Sequence, residues 1–181
     1  MQGSVMTKGI SLSLHKNAGD LKETGGESLT EEQKRDNVIR LAFGGRRERL
    51  QEFIRVIREE IPPHTGVILR GSAVTGTRWK DGAPFDADGP GTSDLDLTLV
   101  GDDVIGLFTV TGFFVPGVHS RPLSDDDPNI APPLVTLRET LMAMTGRPVN
   151  IQASRDAVIH LRGDVLGQPY LTLIDKHDPS E

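Results

Sequence analysis

Ser93-Asp94-Leu95-Asp96-Leu97-Thr98-Leu99-Val100 alternates polar and apolar residues with a strict period of two. Successive side chains of a strand point to opposite faces. Leu95, Leu97 and Leu99 therefore share a core face, and Asp94, Asp96 and Thr98 share the other. Asp is a poor strand former, and two carboxylates at i and i+2 sit about 6–7 Å apart by strand rise and repel. Two acids on one strand face suit a hard cation, which takes carboxylate oxygens and keeps positions open for phosphate and water. A solvated strand carrying two acids by chance is the plainer alternative.

Upstream, Gly66-Val67-Ile68-Leu69-Arg70 reads as a short buried strand that ends at Gly71-Ser72. A glycine directly after a strand lets backbone approach a ligand closely, although an ordinary turn needs the same pair. Gly71 to Arg78 also imitates a phosphate-binding P-loop, but Thr77 stands where the lysine must be and Arg78 where the hydroxyl must be. Between the two strands lies a Gly/Asp/Pro segment. Residues 81–103 hold Asp81, Asp86, Asp88, Asp94, Asp96, Asp102 and Asp103 and no Lys or Arg. Such a run is either a wet acidic loop or part of a divalent-metal site.

Further out, Thr30 with Gln33 forms a capping box that opens a helix ending at Gly44-Gly45. Leu50, Phe53, Ile54, Ile57 and Ile61 make one apolar stripe on a helix from about Arg46 to Glu60, stopped by Pro62-Pro63. Five arginines and four glutamates on that helix mark a solvated outer face. Val110 to Val118 reads as extended. Leu134 to Thr145 reads as a helix with Gly146 as its cap, and Arg147 to Gln152 as a second alternating strand. Ser154 is positioned to cap a helix through Leu161, and Tyr170 to Ile174 reads as a last strand. The expected organisation is a tail over 1–28, a helical lead-in over 29–63 and an α/β domain over 64–175.

Composition narrows the chemistry. The 181-residue chain has no cysteine, which excludes disulfides, a Cys-built zinc cluster and a thiol nucleophile. No run of 18 apolar residues spans a membrane, and the first 20 residues lack a signal-peptide shape, so a cytoplasmic protein is expected. A net charge of −6 argues against generic duplex-DNA binding. His15, His64, His119, His160 and His177 form no i, i+4 metal pair, and Ser72 lacks a nucleophile-elbow context. Trp79 either stacks on a base or anchors its loop to the core, and Arg70, Arg78 and Arg138 are candidate phosphate contacts.

A strand, Gly71-Ser72, a spacer, then Asp94-Leu95-Asp96 flanked by apolar residues resembles the DNA polymerase β-type nucleotidyltransferase superfamily, clearly over 66–100 and out to about 175. Arg147-Pro148-Val149-Asn150-Ile151 occupies the phrase that often carries that superfamily's third carboxylate, with Asn150 in place of Asp. The spacer of 21 residues is longer than usual there. The resemblance implies an α+β nucleotidyltransferase-like fold, a small mixed sheet with helices packed on the face opposite the carboxylates. It implies Mg²⁺, or Mn²⁺, held by Asp94 and Asp96, and a nucleoside triphosphate contacted by Gly71, Ser72 and Asn150. The implied reaction moves a nucleoside monophosphate onto a hydroxyl of a small molecule, protein or RNA end and releases pyrophosphate. The other reading is a catalytically weak relative, a nucleotide-binding or antitoxin-like regulatory module. The intact Asp pair favours the first and Asn150 the second.

Overall fold

A computed structural model describes residues 28–177; the segment read as a tail lies, apart from Ser28, outside them. Six strands form one mixed sheet in the order β3-β4-β5-β2-β1-β6. They are β1 (Gly66–Arg70), β2 (Leu95–Val100), β3 (Phe113–Val115), β4 (His119–Ser120), β5 (Val149–Ser154) and β6 (Tyr170–Ile174). β1 is antiparallel to both β2 and β6, and β2 runs parallel to β5. The protein is thus of the mixed α/β class.

Leu95, Leu97 and Leu99 are buried in the main core, as their alternation requires. Helices α1 (Glu31–Ala42), α2 (Arg47–Glu60) and α5 (Val135–Thr145) cover that face, with two single turns, α3 (Ser72–Thr75) and α4 (Asp102–Ile105), between α2 and α5 in the chain. The Thr30–Gln33 capping box is formed in both directions, at 2.8 and 3.2 Å. α2 buries Leu50, Phe53 and Ile57, and Phe43 meets Phe53 edge to face at 5.2 Å. The lead-in helices and the sheet therefore share one core. Gly146 caps α5 in the left-handed conformation, with φ +66°.

Three local expectations need correction. Ser154 caps nothing: it completes β5, buried at 0% exposure, and the next helix, α6 (Asp156–His160), starts after Arg155. The segment from Val110 opens with a 3₁₀ turn over Val110–Gly112, and only then come β3 and β4. Helices do not lie on one face alone. α6 places Ile159 against Ile68, Val100 and Tyr170, on the face opposite the leucines. Those three apolar residues sit among polar ones on that face, and α6 leads into a π-helical turn (Leu161–Val165). Thr98, grouped with the aspartates by alternation, is only 1% exposed.

Candidate active site

Strand register sets Asp96 beside Asn150, while Asp94 stands just ahead of β2 and Gly71 and Ser72 just past β1. Asp96 pairs with Arg70 of β1 on one side and with Asn150 of β5 on the other. The Asn150 amide nitrogen donates to Asp94 Oδ2 at 2.7 Å and to Asp96 Oδ1 at 3.0 Å. One neutral amide thus bridges two carboxylates where a cation would neutralise them. Burial first, and the Asp94 charge second, push the Asp96 carboxyl up to about 6.

Paired acids elsewhere in the acidic run set this couple apart. Asp81 and Asp88 meet Arg78, Asp86 meets Arg147 and Asp102 meets Arg155. Asp94 and Asp96 have no basic partner within 4.0 Å among the described residues. Four of the run's seven acids are thus paired from outside it, and exposed Asp103 has no partner within 4.0 Å among the described residues; the Asp94–Asp96 couple differs in being joined by a single amide.

Gly71 holds φ +81°, and a Cβ there would stand 3.0 Å from Asp96 Oδ2. Its lack of a side chain leaves that oxygen clear. Ser72 opens α3 (Ser72–Thr75), a single helical turn closed by Gly76 N–H donating to the Ser72 carbonyl at 2.8 Å. Asp94 Oδ1 and Asp96 Oδ2 accept no hydrogen bond from the described residues. Two free carboxylate oxygens fit Mg²⁺, which commonly takes one or two carboxylates and completes its shell with water and phosphate. No three His, Cys, Asp or Glu converge on a metal position among the described residues; the side chain that meets both aspartates is Asn150.

A cleft of about 300 Å³ opens beside Asp96, lined by Gly71, Arg70, Arg162, Gln168 and Trp79 among others. Trp79 is 79% exposed at its rim, so it does not anchor its loop to the core. Arg70 donates to Gln168 Oε1 at 2.7 Å, and Arg162 donates to the same oxygen at 3.0 Å. Burial, then Arg162, push the Arg70 guanidinium down to about 10; burial lowers Arg162 as well. His119 approaches Arg162 at 3.4 Å and is lowered first by its own burial, then by Arg162 and Arg70. Arg78 and Arg138 are not in this cleft. Arg78 pairs within its loop, and buried Arg138 holds Asp125 and the Val149 carbonyl.

Sequence reasoning missed the clamp that places Asp94. Asp86, at φ +57°, accepts from the backbone N–H of Gly91 and Ser93 and from both terminal nitrogens of Arg147. Arg147 also donates to the Ser93 carbonyl at 2.9 Å and stacks over Phe85 at 4.6 Å. Burial alone would raise the Asp86 carboxyl, but the Arg147 fork and the two amides outweigh it and hold it at about 2. The loop is thereby fixed one residue ahead of Asp94. Arg162 and Gln168 were missed too, since only the fold brings them to the cleft beside Arg70 and sets His119 against Arg162.

No protein-family model, curated protein or solved structure matches this chain.

Proposed function

We propose that this protein is a Mg²⁺-dependent nucleotidyltransferase with a nucleotidyltransferase-like fold, moving a nucleoside monophosphate from a triphosphate to an acceptor hydroxyl. The observation that carries this reading is the Asp94–Asp96 couple, bridged by a neutral amide and free of any basic partner beside an arginine-lined cleft. Bound Mg²⁺ would offset charge on the attacking and leaving oxygens of an in-line displacement. Asp94 and Asp96 would hold it through the two oxygens that Asn150 leaves free. Gly71 keeps the approach to Asp96 Oδ2 open, and the Asp86–Arg147 clamp fixes where Asp94 stands. The acceptor hydroxyl oxygen would bond to the α-phosphorus and give up its proton to solvent as the bond from that phosphorus to the pyrophosphate oxygen breaks.

Asn150 supports a second reading. A carboxamide carries no charge and cannot serve as a base, so a nucleotide-binding module with little turnover is consistent with the same geometry. One experiment separates the two. Each nucleoside triphosphate is incubated with Mg²⁺ and the protein, pyrophosphate is assayed, and Mg-nucleotide binding is followed by calorimetry. Transfer predicts pyrophosphate release that Asp94→Asn and Asp96→Asn abolish. Binding without release selects the module. Unchanged Mg-nucleotide affinity in the double variant removes the site assignment altogether.

A further inference from the structure

We infer that Arg70 and Arg162 form an oxyanion subsite in the cleft, built to take a phosphate group. The molecule supplies its own comparison, because three arginines are about equally buried: Arg70, Arg138 and Arg147. Arg138 holds Asp125 at 2.7 Å, and Arg147 holds Asp86 at 2.9 Å. Arg70 has no carboxylate within 4.0 Å among the described residues. Its Nη2 donates to the neutral Gln168 oxygen, and its Nη1, buried, donates to none of the described residues. Arg162 approaches from the π-helical turn and shares that same neutral oxygen, also without a carboxylate partner among the described residues.

Two guanidinium groups that share one uncharged acceptor repel each other at partly desolvated positions. A buried charge lacking its counter-ion is strongly unfavourable unless something pairs with it. Asp96 contributes its field but is hydrogen-bonded toward Asn150, on the other side. An anion entering the cleft would give the orphan Nη1 an acceptor and neutralise both forks. Phosphate suits this better than a carboxylate. Its tetrahedral oxygens can accept from two forks arriving from different elements, the strand β1 and the π-helical turn. The subsite lies beside Asp96, so a cation position and an anion position adjoin.

Whether that phosphate belongs to the nucleotide or to the acceptor rests on the nucleotidyl-transfer reading; capture of the oxyanion does not. The test is calorimetry on the full chain in EDTA with inorganic phosphate, pyrophosphate and tripolyphosphate. Saturable binding is expected. Arg162→Gln, confirmed folded by circular dichroism, should weaken it roughly 10- to 100-fold, the worth of a charge-assisted hydrogen bond. Arg70→Lys keeps the buried charge but loses the fork and should weaken binding as well. Arg55→Gln, on the exposed face of α2, should leave it unchanged. Competition between tripolyphosphate and Mg-nucleotide would assign the subsite to the nucleotide tail, and simultaneous binding would assign it to the acceptor. The subsite is overturned if the parent protein binds none of the three anions, or if both arginine variants bind as the parent does. Anion binding by the parent protein without pyrophosphate release from any nucleotide refutes transfer alone and leaves the subsite standing.

Discussion

Asp96→Asn should make the metal-free protein more stable at pH 8, although it removes a proposed metal ligand. The Asp96 carboxyl is raised from 3.8 to about 6 by burial and by Asp94. The folded state therefore holds this proton more tightly than the unfolded chain does. The resulting penalty is absent below pH 3.8, grows as pH rises toward 6, and is complete above it. At about 1.4 kcal/mol per unit, ionised Asp96 costs the fold on the order of 3 kcal/mol. The bond from Asn150, at 3.0 Å, is already inside that figure, since it pulls the carboxyl down against burial and Asp94. The gain is therefore about 3 kcal/mol, or about 6–12 °C in Tm for a domain of this size. Thermal melts in EDTA at pH 8 and pH 4 measure it directly. The variant should melt higher at pH 8 and coincide with the parent at pH 4, and Mg²⁺ should raise only the parent. A variant that melts at or below the parent at pH 8 would refute the reasoning, because Asp96 would then contribute to stability.

Other substitutions probe the neighbouring elements. Phe53→Ala empties a fully buried position under the sheet and should cost about 3–5 kcal/mol in urea unfolding. Asn150→Asp should tighten Mn²⁺ or Mg²⁺ binding, read by calorimetry, and lower metal-free stability at pH 8 by placing a third carboxylate against Asp94 and Asp96. Arg147→Met strands the Asp86 carboxylate and should cost about 3–5 kcal/mol near neutral pH. Since Asp86 is held at about 2 in the fold, that loss should shrink as pH falls from 4 through 2, which acid-titrated melts would show.

Strand β2 with Asp96, and Asp94 just ahead of it, was legible because its signal is local. A period of two fixes which residues share a face, and a poor strand former on the polar side marks a position kept for another reason. The capping box of α1, the stripe of α2 and the glycine ending α5 are local in the same sense. Ser154 misled because a serine before an acid is a plausible cap by sequence, while β5 runs two residues further than its alternation suggested and buries that serine. Arg147 and Asp86 are 61 residues apart, and Arg70 and Gln168 are 98 apart. No window along the chain contains either pair. Trp79 could be placed by composition on a loop but not oriented, since nothing in its neighbours specifies what its ring faces.

The placement of β6 has a consequence for synthesis. This strand is among the last described residues, yet it pairs with Val67 to Arg70 of β1, the all-buried strand that leads into Gly71. While the chain is being made, β1 can pair with β2 on one edge only, and its other edge waits for residues 170–174. An open apolar edge invites pairing with a second chain, and contacts this distant in sequence close late. Gln168, which joins the two cleft arginines, arrives with the same segment. Nascent chains arrested before β6 should therefore remain protease-sensitive and self-associating, and those arrested well beyond it should resist cleavage. Completion of the sheet and assembly of the cleft would then be a single event, so that the arginine pair is never set in place on an unfinished fold.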